Sequence, residues 1–252
     1  MTSLEFDVPD LDTPIALRRP GVAEFSAWLD SFLSGQAGDA SHNLVTGCAV
    51  RPSAGELAEI FADGFGFLPG ELAASLVEAA GLPGGPAGLG ETYALVGLKD
   101  AEAQHAQVKV FQAILDAAPV DSLSDATNEE IQRTQRSLEA LKSEIVPIEL
   151  MTAARKATRR PFFCRMADGS WWACKAPGTA QASAYEDVMM VAVQGKGSRY
   201  EPLRALVLAC VISPEPEVAK VKIEETPAIP YLLARALRGA GGEGKAVARV
   251  SS

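Results

Sequence analysis

The sequence predicts an α+β fold that is mostly α-helical: a duplicated unit of a β-hairpin followed by a small helical bundle, with a helical-hairpin insert between the copies. Three observations predict it. A stretch at 15–30 recurs at 172–187, apolar residues spaced by three and four dominate most segments, and short strand-like runs begin each copy. With 252 residues, 48% of them hydrophobic, the chain can bury two cores.

The repeat is visible by direct comparison. IALRRPGVAEFSAWLD at 15–30 matches WACKAPGTAQASAYED at 172–187 with a shift of 157 positions. The similarity continues from NLVTGCAVRP to ALVLACVISP, and from LPGELAASL to IPYLLARAL. We therefore predict a first repeat unit at 1–90, a helical connector at 91–160, a second repeat unit at 161–241 and a disordered tail at 242–252.

The first unit is predicted to begin with a hairpin and to continue with helices. Pro20 suits the first turn of a helix, Ser53 and Glu56 form a capping box, and Gly81 suits a helix end. The predicted elements are strands at 4–8 and 15–18, helices at 20–34 and 44–50, and helices that begin at Ser53 and Pro69.

The connector begins with LPGGPAGLG at 82–90, which is rich in glycine and proline and is typical of a flexible boundary. A helix at 101–118 follows, and Thr127 with Glu130 begins another. That second helix carries a narrow apolar seam, for which packing against the 101–118 helix is favoured and dimerisation or partner capture are the alternatives. The seam residues are Ile131, Thr134, Leu138, Leu141 and Ile145.

The second unit begins after a basic segment that is typical of a solvated helix end, formed by Arg155, Lys156, Arg159 and Arg160. An aromatic hairpin is predicted at 161–174, with its Phe and Trp residues filling the core. Helices are predicted at 178–193, 200–213 and 230–239.

The four cysteines are all predicted to be free thiols. Cys48 and Cys210 occupy one repeat position among apolar residues, where a thiol acts as a small hydrophobic group. Cys164 and Cys174 lie on the two arms of the hairpin. A two-residue Asp168-Gly169 loop would place Cys164 opposite Ala173, and a three-residue loop would place it opposite Trp172, so neither register sets sulfur against sulfur.

Charge and hydropathy restrict the partners. The net charge of −9 disfavours nucleic acid and anionic membranes. The first twelve residues are acidic where a signal peptide would be basic and then apolar, and the longest apolar runs fall short of the ~20 residues that span a bilayer. We therefore expect a cytoplasmic protein with a protein partner.

No motif predicts catalysis, a cofactor or a metal site. GAGGEGKA at 239–246 resembles a phosphate-binding loop, but Ala246 stands where Ser or Thr is needed and the loop follows a helix. His42 and His105 have no cysteine or carboxylate at ligand spacing, and His105 is expected at the surface. Adjacent carboxylates such as Glu129 and Glu130 point in different directions on a helix. We expect no enzymatic activity.

Each copy contains a basic residue before proline, an amphipathic helix, LVxxCVxxP, and a proline-initiated helix ending in Ala-Gly. The segments that carry this pattern are 175–177, 206–214 and 227–241 in the second copy, and 18–20, 44–52 and 69–81 in the first. The pattern resembles tail assembly chaperones of tailed phages and phage-like particles, in two tandem copies. It is also similar to small baseplate-hub assembly proteins of contractile tails.

This resemblance implies a non-enzymatic chaperone or assembly factor that binds a helical partner, such as a tape-measure or baseplate protein, in a host cytoplasm. The alternative is a permanent structural or adaptor component of a tail or injection machine. A chaperone would expose apolar side chains. The candidate partner-binding residues are Phe65, Phe67, Leu138, Leu141 and Ile145, for which burial within the chain is the alternative.

Overall fold

A computed structural model describes residues 3–8, 11, 13–62, 68–116 and 125–240. It confirms the α+β fold class with a majority of helix. The strands are β1 (Ser3–Phe6), β2 (Ile15–Arg18), β3 (Ala49–Arg51), β4 (Val96–Gly97), β5 (Pro161–Arg165), β6 (Trp171–Lys175) and β7 (Val211–Ser213). The helices are α1 (Val22–Leu33), α2 (Ala37–Gly47), α3 (Ala54–Ala62), α4 (Leu68–Ala79), α5 (Leu98–Asp116), α6 (Asp125–Glu144), α7 (Ile148–Ala157), α8 (Thr179–Val193), α9 (Tyr200–Cys210), α10 (Pro216–Glu225) and α11 (Ile229–Ala240).

Two compact units divide the chain. One contains Met1–Tyr93 together with Ala176–Ser252, and the other contains Ala94–Lys175. The predicted limits assign the 161–175 hairpin to the second repeat, whereas its contacts group it with 94–160. The physical reason is strand pairing, since β5 pairs antiparallel with β4 through Val96 and Phe163 and also with β6.

The order of elements is the same in the two parts that the sequence repeat relates. From β1 to α4 the order is strand, strand, helix, helix, strand, helix, helix. After the connector, the elements from β5 to α11 follow the same order. This agreement supports the predicted duplication, which stays a prediction.

The larger unit has a core to which both repeats contribute. Phe25 and Leu29 of α1 are fully buried, and the Phe25 ring meets the Tyr200 ring of α9 edge-on with centroids 6.2 Å apart. The Tyr200 hydroxyl donates to the Pro227 carbonyl at 2.9 Å, and burial raises the pKa of that hydroxyl. The backbone N–H of Ala228 donates to the Ala80 carbonyl at 3.2 Å. These contacts fix residues 22–80 and 200–228 against each other.

Short strands replace the helix ends predicted before Pro52 and Pro214. Residues 49–51 form β3 and pair with β2, and 211–213 form β7. A residue before proline disfavours helical geometry, so the chain extends there. α2 also begins earlier than predicted, at Ala37, and α10 has no counterpart among the predicted elements.

The glycine-rich segment after α4 is regular, which corrects the prediction of a flexible boundary. Residues Gly85–Gly90 form a 3-10 helix in which Gly85 and Gly88 are buried. A Cβ added at Gly85 would lie 2.9 Å from the Ala74 carbonyl oxygen, and one added at Gly88 would overlap the Pro83 carbonyl oxygen. Glycine is needed here because the backbone passes close to its neighbours.

The aromatic hairpin adopts the second of the two predicted registers. Cys164 lies opposite Trp172, and the 167–169 loop ends in Gly169 with φ of +81°. Phe163 and Trp172 are buried as predicted. All four cysteines are buried free thiols. As predicted, the register does not set sulfur opposite sulfur, since Cys164 pairs with Trp172 and Cys174 pairs with Phe162. The nearby Cys164 side chain and burial raise the pKa of the Cys174 thiol.

Candidate functional site

A groove between α8 and α9 has a volume of about 500 Å³. Alanines form much of its walls. The aliphatic residues that line it are Ala180, Ala184 and Val188 of α8 and Pro202, Ala205, Leu206 and Ala209 of α9.

Three polar side chains also line the groove. Gln181 and Glu201 line it, and Glu201 is 3.8 Å from Arg204 in an exposed ion pair. Tyr185 also lines the groove, and its hydroxyl accepts from Arg238 of α11 at 3.4 Å while the guanidinium stands 5.3 Å from the ring centre. The groove therefore offers an apolar floor with a carboxylate on its α9 side.

Apolar side chains on α8 remain exposed around the groove. Val188 is 52% exposed, and Met190, Val191 and Val193 are exposed to similar degrees. Within α8 only Tyr185 and Ala192 are buried. Val188 lines the groove, and Val191, three residues later, shares that side of α8, whereas Met190 and Val193 lie on other sides of the helix. We call the groove together with Val188 and Val191 the α8 surface.

The first repeat contains a groove at the equivalent place, between α1 and α2, with a volume of about 290 Å³. Its lining positions correspond to those of the larger groove in the sequence alignment. With a shift of 157 the pairs are Ala23/Ala180, Glu24/Gln181, Ala27/Ala184, Trp28/Tyr185 and Ser31/Val188, and with a shift of 162 they are Ala40/Pro202, Asn43/Ala205 and Leu44/Leu206.

The two grooves differ in polarity at three of these pairs. Ser31 stands where the second groove has Val188, and Asn43 stands where it has Ala205. Glu24 is held by Arg18 at 2.5 Å, which lowers the pKa of the carboxyl, whereas Gln181 carries no charge. The groove of the first repeat is therefore smaller and more polar.

The seam residues predicted to bind a partner are instead part of a helical hairpin. Leu138 of α6 and Ile145, which directly follows α6, are buried in one cluster with Val108 of α5, and Leu141 and Leu115 pack against it. This confirms the favoured interpretation of packing against the 101–118 helix. It corrects the choice of Leu138 and Ile145 as exposed partner-binding residues, because α5 already covers them. Phe65 and Phe67 lie outside the described residues.

The histidines and the cysteine that the sequence analysis considered for chemistry either contact other groups or are buried. His105 was predicted at the surface, but it is partly buried. Its Nε2 is 2.6 Å from the Val146 carbonyl oxygen. His42 meets the Phe61 ring edge-on, with ring centres 5.7 Å apart. Burial raises the pKa of Cys48 to about 11, which keeps it a thiol at neutral pH. Across the described ranges no three His, Cys, Asp or Glu side chains form a group that could hold a metal ion.

A further cavity of about 410 Å³ in the 94–175 unit contains His105, Lys142, Glu149 and Trp171. Two of its polar groups have partners within the unit. Lys142 donates to Gln112 at 3.0 Å and to Glu139 at 3.2 Å, and His105 contacts Val146. The cavity therefore lies where α5, α6, α7 and β6 meet, and its lysine and histidine are held by contacts within the unit.

Comparison with protein-family models, with curated proteins and with solved structures finds no match. In the part of the chain that the structure describes, no helix has both the length and the apolar character needed to cross a membrane.

Sequence reasoning missed the α8 surface, although a comparison of the two copies contains the signal. The buried Phe25 and Leu29 of α1 correspond to Ala182 and Glu186 in α8, while the polar Ser31 corresponds to Val188. These substitutions weaken the core-facing side of α8 and place an apolar residue at the groove. A helix that keeps its place in the repeat but changes its apolar face is a candidate for an interface.

Proposed function

We propose that this protein is a non-enzymatic assembly chaperone that binds a helical segment of a partner protein, of the type to which its sequence pattern is similar in tailed phages. The observation that carries the proposal is the α8 surface, where an open apolar groove adjoins the exposed side chains of Val188 and Val191. Binding there would remove apolar area from water, which is the main favourable term in protein association.

The shape of the groove supports a helical ligand. Two neighbouring helices with alanine at Ala184, Ala205 and Ala209 leave a furrow into which the side-chain ridge of a third helix can pack. Recognition of an amphipathic helix by an apolar groove is a common mode of peptide binding. The narrower, more polar groove of the first repeat suits such a ligand less well.

Affinity purification from the native background tests this function. A tagged full-length chain is captured, and mass spectrometry identifies the proteins that co-purify and the proteins of the finished particle. The proposal predicts that a long helix-rich protein co-purifies, that its soluble fraction falls when this chain is deleted, and that this chain is missing from the particle.

The second candidate is a permanent structural or adaptor component, which the presence of two compact units in one chain favours. An adaptor can hold one partner on each unit. The same mass spectrometry separates the two functions, because an adaptor stays in the particle at a constant ratio to the other components. That result would reject the chaperone.

A further inference from the structure

We propose that the occupant of the groove between α8 and α9 is an amphipathic α-helix that has aliphatic side chains on one face and Lys or Arg beside that face. We also propose that the equivalent groove between α1 and α2 does not bind it. This inference rests on the proposed function and assigns its binding site and the chemistry of its ligand.

The shape of the groove defines the ligand's apolar face. Its α9 side is formed by the exposed Ala205 and Ala209, and its α8 side by the exposed Ala184 and Val188. A floor of methyl groups accepts Leu, Ile or Val side chains from a helix lying along it. Polar side chains would lose hydration there without gaining a partner.

Carboxylates flank the groove on both sides. Glu201 lines its α9 side. On α8, the exposed Asp187 lies three residues after Ala184 and four before Val191, so it shares their side of the helix. Asp187 has no ion-pair partner among the residues that the structure describes. Cationic side chains that flank an aliphatic face would meet both carboxylates.

The distribution of charge between the two units favours the same ligand. Residues 94–175 contain eleven acidic and eleven basic side chains, so the net charge of −9 belongs entirely to the unit that carries the groove. A basic helix is attracted to that field. A second copy of this chain would bring the same negative charge to the interface, which disfavours self-association through this surface.

The first repeat provides an internal comparison. Its groove has Asn43 and Ser31 where the second has alanine and valine, and its carboxylate Glu24 is already paired with Arg18. An aliphatic ridge placed there would bury polar groups without partners. Glu24 is also held by Arg18 at 2.5 Å, more closely than Glu201 is held by Arg204 at 3.8 Å, so it is less available to a basic flank. Binding is therefore specific to the second repeat.

The probe is a fluorescein-labelled synthetic peptide of about 20 residues, long enough to form a stable helix, with Leu and Ala on one face and Lys on both flanks. A matched peptide has Glu in place of each Lys. Fluorescence anisotropy measures binding of both peptides to the full-length protein. The inference predicts that the Lys peptide binds and that the Glu peptide binds at least about tenfold more weakly.

Variants at equivalent positions locate the site. Ala184→Arg and Ala205→Arg fill the α8–α9 groove with a cation, and Ala27→Arg and Asn43→Arg do the same at the matched positions of the other groove. All four positions are exposed, so folding should persist, and circular dichroism melting checks it. The first two variants are expected to weaken binding of the Lys peptide about tenfold or more, and the matched two by less than about twofold.

The inference is overturned if the wild type does not bind the Lys peptide, if the Glu peptide binds equally well, or if the matched variants lose as much affinity as the groove variants. Light scattering after size exclusion provides a separate check. A dimer that Ala205→Arg dissociates and Asn43→Arg does not would identify a second copy as the occupant and would also overturn it. Each of these results leaves the proposed function to be decided by co-purification and particle composition.

Discussion

Glu24 stabilises the start of α1 in two ways. Its Oε2 accepts from the Gly21 backbone N–H at 3.0 Å, and its Oε1 is 2.5 Å from Arg18, which also donates to the Gly47 carbonyl. The second repeat retains only the first of these, since Gln181 accepts from the Gly178 N–H at 3.1 Å. The capping bond is therefore common to both copies and the ion pair is an addition in one.

Glu24→Gln separates these two contributions. The amide can keep the capping bond, so the variant should lose only the ion pair and about 1 kcal/mol of unfolding free energy at pH 7. Arg18 lowers the pKa of Glu24 in the folded state, so the stabilisation is complete above the unfolded pKa of this carboxyl and disappears as the pH falls through the folded value. Urea unfolding at several pH values measures this difference.

The exposed pair of Lys220 with Glu217 is the control. Glu217 is 82% exposed, so Glu217→Gln should change stability by less than about 0.5 kcal/mol at any pH. A difference between wild type and Glu24→Gln that does not shrink in acid would show that Glu24 acts through packing, contrary to this interpretation.

Contacts between side chains could be predicted from the sequence where the two residues are a few positions apart in the chain. Ser53 and Glu56 form the predicted capping box, with the Ser53 N–H donating to Glu56 at 2.8 Å. The contact of His105 with Val146 joins residues 41 positions apart, and no spacing rule relates them.

At the scale of elements, the 3-10 helix after α4 requires glycine at position 88 but not at position 90. A methyl group at Gly88 would overlap the Pro83 carbonyl oxygen and press on Leu82, whereas one at Gly90 would meet nothing within 4 Å. Gly88→Ala should therefore destabilise the protein by about 2 kcal/mol or more, and Gly90→Ala should be neutral within about 0.5 kcal/mol. Thermal unfolding of both variants provides the comparison, and equal effects would contradict the described geometry.

The helical hairpin of α5 and α6 depends on its buried seam. Leu138 is 4% exposed, so Leu138→Ala should cost about 2–4 kcal/mol through lost burial and the cavity that remains. Val110 on α5 is 60% exposed, and Val110→Ala should change stability by less than about 0.5 kcal/mol. Chemical denaturation measures both. A small effect at Leu138 would mean that the seam is free and available to a partner.

Elements with a clear apolar period were predictable, and short or weakly patterned ones were not. α1 and α4 appear close to their predicted limits because each has one buried face. α10 buries only Ala219 and Ile223 and exposes Val218 and Val221, so its sequence lacks that signal. The three-residue strands β3 and β7 are too short for an alternating pattern and depend on pairing instead.

For the whole molecule, the repeat predicted a hairpin followed by helices in each copy. It could not predict that the 161–175 hairpin joins the connector, because the pairing of β4 with β5 is a contact between distant segments. Nor could it predict which groove is open, since volume depends on how closely two helices approach. The difference in polarity between the two linings could be predicted, because Ser31 and Val188 are equivalent positions in the aligned sequences.

The central claim is that a helical partner occupies the α8–α9 groove in the cell. A photoreactive amino acid placed at Ala205, with Asn43 as the matched position, tests it most directly when the tagged full-length protein is irradiated in its native background. We predict a cross-link from position 205 to a helical segment bearing aliphatic and basic side chains, and none to that segment from position 43. Cross-links of equal yield from both positions, or from neither while the partner still co-purifies, would contradict this claim.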